Sequence, residues 1–331
     1  DEFPGVFLHW EDFGRANARK NLERFQDDLC SFNDDMQGTA VVTVAALLSA
    51  VKASGLDFIE QKVVIFGAGT AGAGIADEIL KTFVRFGVSE EDARKKFWLI
   101  DRPGLLVEGM DSLASFQKPY ARSQDEVADW HKGAHGIGLH EVVKQVQPTI
   151  LIGSSTVSGA FNEMVIRDMA KGVERPIIFP LSNPTRLAEA TPADILRWTD
   201  NKALVATGSP FSPVIHPDGT ARVIAQSNNA LAFPGIGLGI IASKAKKLTD
   251  AMLWEATMAI SECAPVHKDS CAPILPTLGK AYEVSQKVAF RLAKQAMKDG
   301  VADECSDEQL LVNIKEQQWE PKYYEYRYVT K

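Results

Sequence analysis

A glycine-rich stretch in the first third of the chain constrains the fold more than any other feature. It follows a short apolar run typical of a buried strand, and a helical pattern begins directly after it. Its glycines have the spacing G-x-G-x-x-G. In such a turn the first glycine permits a tight bend, the second lets a pyrophosphate approach the backbone, and the third lets the helix pack on the sheet. Because a helix N-terminus also offers free N–H groups to phosphates, the sequence predicts a dinucleotide site formed by Gly67, Ala68, Gly69, Thr70, Ala71 and Gly72.

Strand and helix patterns alternate from residue 62 to residue 207. The predicted strands cover 63–66, 97–101, 149–152, 177–180 and 204–207, and predicted helices between them cover 73–86, 140–147, 161–170 and 193–199. This alternation indicates an α/β protein with a Rossmann-type, doubly wound parallel sheet that has helices on both faces. Ligands bind such sheets beyond the carboxyl ends of the strands.

The second predicted strand ends in Asp101. An acid at this place can accept hydrogen bonds from the ribose hydroxyls of NAD. It lies further from Gly72 than the usual distance of about 20 residues, and an insertion at residues 87–91 accounts for the difference. The adjacent Arg102 could instead pair with the 2′-phosphate of NADP. Because Asp101 would repel that phosphate, we expect NAD, with NADP as the alternative.

Two pairs of acids precede the glycine-rich stretch: Glu11 with Asp12, and Asp34 with Asp35. They lie at the two ends of one predicted helix–turn unit, and aromatic residues adjoin both pairs. Hard cations such as Mg²⁺ and Mn²⁺ prefer carboxylate oxygens, so three converging carboxylates would form a metal site. Spacing alone leaves helix capping as the alternative, because Asp is favoured at N-caps.

Two further segments carry polar residues. Residues 208–229 predict a long loop with three prolines, and loops of this length are usually functional. The loop ends in Asn228 and Asn229, whose amides could hold a substrate carboxylate or cap a helix that begins near Pro234. Residues 117–135 are charged and predict a solvated loop and helix.

Composition narrows the class of protein. A net charge of −7 argues against nonspecific nucleic-acid binding. The four cysteines form no C-x-x-C pair and fit free thiols in a reducing cytoplasm. We find no signal peptide and expect no apolar run of membrane-spanning length. The chain begins with Asp1 rather than Met.

Six motifs occur in a defined order along the chain. They are Trp10-Glu11-Asp12-Phe13, the FNDDMQGT run at 32–39, the 67–72 turn, LSNPT at 181–185, TGSPF at 207–211, and Asn228-Asn229 followed by FPG at 233–235. In this order they closely resemble the malic enzymes, in particular the bacterial NAD-linked type. The resemblance implies oxidative decarboxylation of L-malate to pyruvate and CO₂, with reduction of NAD.

The resemblance also implies roles for individual residues. It makes Glu11, Asp12 and Asp35 ligands of Mg²⁺ or Mn²⁺, with Asp34 adjacent to them. Substrate contacts fall to Asn183 and to Asn229, with Asn228 as the alternative to Asn229. The cofactor site takes in the 67–72 turn, Asp101, Arg102 and also Asn183.

One departure from the family pattern bears on catalysis. Malic enzymes use a lysine base, a tyrosine acid and a substrate-binding arginine, all upstream of the metal motif, and we expect none of them in this chain. We expect residues 1–33 and 229–331 to belong to a split second domain around a dinucleotide-binding domain at 34–228. A cytoplasmic homo-oligomer, dimer or tetramer, is expected for the intact enzyme. Malolactic activity, a binding fragment without turnover, and an amino-acid or hydroxyacid dehydrogenase are the alternatives.

Overall fold

The computed structural model describes residues 5–216, 218–319 and 322–329. Its strands in this part of the chain are β1 (Leu8–Trp10), β2 (Ser31–Asn33), β3 (Val63–Phe66), β4 (Phe97–Asp101), β5 (Gly104–Leu105), β6 (Ile150–Gly153), β7 (Ile177–Pro180), β8 (Leu204–Thr207), β9 (Val214–Ile215), β10 (Ala221–Arg222) and β11 (Ala225–Gln226). The α-helices are α1 (Gly14–Phe25), α2 (Thr39–Ser54), α3 (Thr70–Arg85), α4 (Glu90–Arg94), α5 (Leu139–Val146), α6 (Glu163–Gly172), α7 (Pro192–Trp198), α8 (Phe233–Ser243), α9 (Asp250–Glu262), α10 (Ala281–Lys298) and α11 (Asp307–Gln317).

The main sheet has the strand order β11-β8-β7-β6-β3-β4-β5. Every neighbouring pair is parallel except β4 with the short β5. The chain runs outward from β3 to β4 on one side and returns to β6 on the other, so the strand order reverses between β3 and β6. This reversal is the topological switch point at which a doubly wound sheet binds its ligand. The predicted α/β, Rossmann-type architecture is confirmed.

Both faces of the sheet are covered, and β3 shows how the sequence produces this. Val63 and Ile65 contribute to a core with α2, α3, α9 and α10, whereas Val64 points into a second core with α5, α6 and α7. All three side chains are fully buried. A strand buried on both faces needs a continuous apolar run rather than an alternating one, which is the pattern that β3 carries.

The predicted strands agree closely with the structure. Four of the five have the predicted bounds, and the fifth begins and ends one residue later, at Ile150–Gly153. The predicted long loop over 208–229 is interrupted by three two-residue strands, because β9 and β10 form an antiparallel hairpin there and β11 extends the sheet. The prediction of a solvated 117–135 segment was wrong for the side chains of Gln117, Tyr120 and Val127, which are buried.

The long apolar helix also differs from expectation. Asp34–Ser54 is continuous, and by length and composition it could span a membrane, although we expected no such run. Of its most apolar window, 61% is buried inside the protein. Ser49, at 0% exposure, contacts Ser261 of α9 through their Oγ atoms at 3.0 Å. The segment therefore packs as a core helix, which explains its apolar composition.

Candidate functional site

The glycine-rich turn joins β3 to α3 at the switch point. Gly67 has φ +103°, and an added Cβ would lie 2.5 Å from Ser155 N. A Cβ on Gly72 would lie 2.1 Å from the carbonyl oxygen of Gly67. Both positions therefore exclude a side chain, one by backbone conformation and close approach and the other by packing. Gly69 differs, because no atom of the described residues beyond its chain neighbours lies within 4 Å of its added Cβ. This open space is what a pyrophosphate would need.

The start of α3 is suited to an anion. Thr70 is its first residue, and no side chain caps the N-terminus from Gly69. Ala68 is fully buried, Thr70 is half-buried and Ala71 is exposed. Because the first N–H groups of a helix lack intrahelical partners, those at this end are available to a phosphate. The turn and helix thus fit the dinucleotide that the sequence predicts.

Asp101 ends β4 beside this turn. Its Oδ1 accepts a hydrogen bond from Arg102 N at 2.9 Å, and the Arg102 side chain is exposed. Its Oδ2 accepts from Gln117 Nε2 at 2.8 Å. The same Gln117 nitrogen donates to the Ala68 carbonyl oxygen, also at 2.8 Å. Gln117 therefore ties the acid to the turn. We did not predict this role, since nothing local in the sequence indicates that Gln117 folds back onto β4.

The two acid pairs converge because β1 and β2 are parallel. Trp10 pairs with Asn33 in their register, and α1 forms the crossover between the strands. The carboxyl ends of both strands consequently meet at one edge, which brings Glu11 and Asp12 next to Asp34 and Asp35. Asp12 N donates to Asp35 Oδ2 at 3.0 Å. Ligand atoms of Glu11, Asp12 and Asp35 all lie within 4.8 Å of one another.

A local capping arrangement fixes the second pair. Asn33 Oδ1 accepts from Met36 N at 3.0 Å, and Gln37 Oε1 accepts from Asn33 N at 2.9 Å. This reciprocal pattern resembles a capping box and begins a single π-helical turn, Asp34–Gly38, that leads into α2. Such turns occur frequently at functional sites. Here the turn buries Asp34 while leaving Asp35 exposed.

The electrostatics of this acid cluster favour a cation. Desolvation, and then the negative charges of Asp34 and Asp35, raise the pKa of Glu11. Burial raises the pKa of Asp34, although its hydrogen bonds from Asn229 and with Glu11 oppose that shift. Among the described residues, Asp34 Oδ1 is buried without a hydrogen-bond partner. Four close carboxylates, one with an unsatisfied oxygen, are chemically suited to a divalent cation with oxygen ligands.

His9 enlarges the set of candidate ligands. Its ring nitrogen, with Glu11 and Asp34, forms a second group of ligand atoms within 4.8 Å of one another. The His9 Nε2 to Glu11 Oε2 distance is 3.8 Å. We did not predict this residue, which lies in the middle of β1, a strand that we did not predict either. Mg²⁺ prefers all-oxygen ligands, so the three exposed carboxylates remain the better match for it.

The predicted asparagines occupy different parts of the site. Asn229 Nδ2 donates to Asp34 Oδ2 and to the Asp34 carbonyl oxygen, each at 3.1 Å. Asn228 instead accepts from Ala230 N and caps the short 3₁₀ turn there. Asn183 follows β7, and its Oδ1 accepts a hydrogen bond from Ser209 Oγ. The structure thus brings Asn229 to the acid cluster, while Asn183 lies at the carboxyl end of the sheet.

Comparison with known proteins assigns this chain to a family. The family described as "Malic enzyme, NAD binding domain" matches residues 36–297. NAD-dependent malic enzyme 3 of Bacillus subtilis (strain 168) is 51% identical over 325 residues, which cover 98% of this chain and 57% of that protein. The NAD-dependent malic enzyme of Vibrio campbellii is 47% identical over the same share of this chain and 58% of its own length. This chain therefore spans somewhat more than half of these relatives.

Solved structures agree with the sequence matches. The malic enzyme of Entamoeba histolytica superposes with a TM-score of 0.71 at 28% identity, covering 94% of this chain and 59% of that one. The malic enzyme of Pyrococcus horikoshii Ot3 gives a TM-score of 0.70 at 26% identity, covering 94% and 65% respectively. The chain belongs to the malic enzyme family and contains its NAD-binding domain.

Proposed function

We propose that this chain forms the NAD- and metal-binding part of an enzyme that oxidises and decarboxylates L-malate to pyruvate and CO₂. One observation carries the proposal: Asn229 follows β11 at the carboxyl edge of the main sheet and donates to Asp34 in the acid cluster. Through this contact, the end of the sheet at which a dinucleotide would bind adjoins a cluster suited to a divalent cation. Hydride transfer from a metal-chelated hydroxyacid needs the two sites to adjoin.

The residues of this chain have separable tasks in that reaction. When bound, NAD would accept a hydride, and Mg²⁺ or Mn²⁺ would act as a Lewis acid toward the substrate oxygens. Glu11, Asp12 and Asp35 would hold the cation. Asn229 keeps Asp34 in place through its amide, and Asn183 can present its own amide to the substrate or cofactor at the end of β7.

The cofactor is held by the turn and by Asp101. The N–H groups at the start of α3 would bind the pyrophosphate, and the Asp101 carboxylate would accept from the ribose hydroxyls. Gln117 and Arg102 N fix the orientation of that carboxylate. A negative group so placed disfavours the 2′-phosphate of NADP, and the curated relatives are named NAD-dependent enzymes. NAD is therefore the proposed cofactor.

Two measurements test the proposal. Calorimetric titration of the chain with NAD and with Mn²⁺ should show saturable binding of each, and absence of either would refute the proposal. The complete enzyme, given L-malate, Mn²⁺ and NAD, should produce pyruvate in step with absorbance at 340 nm. Formation of lactate without reduced cofactor would instead indicate malolactic activity. Faster reduction of NADP than of NAD would contradict the role given to Asp101.

A further inference from the structure

Glu189 carries a buried carboxylate that the proposed chemistry does not use. It lies between β7 and α7 and is 0% exposed. Its Oε1 accepts from Ser155 N and from Ser155 Oγ, each at 2.8 Å. Oε1 also accepts from Ser182 Oγ, and Oε2 accepts from Ser182 N at 3.4 Å. All four donors are neutral. A buried charge is tolerated only when hydrogen bonds replace its hydration. The loop after β6 and the loop after β7 both supply these hydrogen bonds, through Ser155 and Ser182.

The two serine hydroxyls connect Glu189 to the backbone N–H groups of Thr156 and Val157. Ser182 Oγ accepts from Thr156 N at 2.8 Å, and Ser155 Oγ accepts from Val157 N at 3.1 Å. A hydroxyl has one proton to donate. Because each hydroxyl gives that proton to Glu189, its lone pairs face the next backbone N–H. The carboxylate therefore sets the direction in which both hydroxyls donate.

The loop that the network holds has an unfavourable backbone conformation. Thr156 has φ +60°, and a β-branched residue in this region is uncommon and costs free energy. Its N–H is fixed by Ser182, which Glu189 orients in turn. Such conformations persist only where surrounding contacts determine them. The Glu189 network supplies those contacts.

This loop forms one wall of the dinucleotide turn. Ser154 Oγ donates to the Gly67 carbonyl oxygen at 2.8 Å. A Cβ on Gly67 would lie 2.5 Å from the carbonyl carbon of Ser154 and from Ser155 N. The loop follows β6, on the opposite side of the switch point from Asp101. A dinucleotide whose adenosine half contacts Asp101 therefore extends its other half toward this loop.

We propose that Glu189 is a positioning residue, which holds residues 154–157 in the shape that receives the nicotinamide half of the dinucleotide. The inference rests on the proposed binding of NAD. It predicts that NAD and AMP, which lacks the nicotinamide half, respond differently to changes at Glu189. A residue that only stabilised the fold would affect both ligands alike.

The test uses Glu189→Gln in the complete enzyme. The amide has nearly the same shape, but its N–H₂ group would face Ser182 N in place of the acceptor Oε2. Its neutral carbonyl oxygen would replace the charged acceptor of the other three hydrogen bonds, so the network is weakened. The dissociation constant for NAD should rise about tenfold, equivalent to about 1.4 kcal/mol, while those for AMP and Mn²⁺ stay within about twofold. Glu189→Asp keeps the acceptor and should recover part of the loss.

A second substitution tests the role of the backbone. Glycine adopts positive φ at little cost, so Thr156→Gly should restore NAD affinity at least partly in the Glu189→Gln background. An NAD dissociation constant within twofold of wild type in folded Glu189→Gln would overturn the inference, as would an equal loss of AMP binding. Should Glu189→Gln not fold, Ser155→Ala replaces it, and an unchanged NAD affinity there overturns the inference. Failure of the wild-type enzyme to bind NAD would instead overturn the proposed function.

Discussion

Gly69→Ala separates the binding role of the turn from its structural role. Gly69 has φ −69° and ψ −171°, a conformation that alanine adopts freely. Apart from its chain neighbours, none of the residues that the structure describes would come within 4 Å of its added Cβ. The substitution should leave the fold intact. By restricting the unfolded chain it should even stabilise the protein by about 0.4–1 kcal/mol.

Binding of NAD should nevertheless weaken strongly. The new methyl group occupies the space through which a pyrophosphate reaches the backbone. Loss of one hydrogen bond to a charged group costs about 1.5–3 kcal/mol, which corresponds to roughly a 10- to 150-fold rise in the dissociation constant. Calorimetric titration with NAD measures this change, and thermal denaturation measures stability on the same preparation.

Gly74→Ala is the matched control. Gly74 lies five residues further along the chain, in α3, and is exposed. In the described part of the chain, only its own neighbours lie within 4 Å of an added Cβ. Alanine should stabilise this helix position by about 0.5–1 kcal/mol without changing NAD affinity. If Gly69→Ala and Gly74→Ala bind NAD equally well, no pyrophosphate crosses the backbone at Gly69. A large drop in stability for Gly69→Ala would also refute the reasoning.

The remaining predictions concern packing, the bridging glutamine and the metal. Gly72→Ala places a methyl group 2.1 Å from a backbone oxygen of the turn, so the unfolding free energy should fall by about 1–3 kcal/mol; an unchanged thermal midpoint would contradict this. Gln117→Met leaves two acceptors without their donor and should lower the free energy of unfolding by about 1–3 kcal/mol. Gln124→Met, at an exposed glutamine, should change it by no more than about 0.5 kcal/mol. Equal effects would argue against the role of Gln117 in joining Asp101 to the turn. Asp35→Asn should weaken Mn²⁺ binding by at least the roughly 10- to 100-fold that outer-shell partners cost, while the exposed Asp125→Asn should not; equal Mn²⁺ affinity in both variants would exclude Asp35 as a ligand.

The local sequence pattern was sufficient to predict the sheet and the glycine-rich turn. A strand such as β3, buried on both faces, must be apolar at every position, and a turn into a helix beside a phosphate must carry glycine where a Cβ would collide. These requirements involve residues adjacent in sequence, so they are visible without a structure. The same holds for the acid at the end of β4. The bounds of most strands followed directly.

Contacts between distant residues could not be read in this way. Gln117 was predicted to be solvated, yet it bridges Asp101 and the turn because the chain after β4 folds back across the strand ends. Glu189 gave no signal, since the two serines that surround it lie 34 and 7 residues away. A hydrogen bond between side chains far apart in sequence depends on where the sheet brings their loops. No local period encodes it.

The acid cluster shows most clearly which features follow from the sequence and which from the tertiary structure. The sequence by itself determined that carboxylates of the right kind occur in two pairs, Glu11 with Asp12 and Asp34 with Asp35. Only the tertiary structure decided that they meet, because a parallel pairing of β1 with β2 brings both carboxyl ends to one edge. It also decided that Asp34 would be buried against Asn229, 195 residues away. The chemistry of each residue is a local property. Bringing like charges together is unfavourable, so they converge only where the stability of the whole packed fold holds them in place.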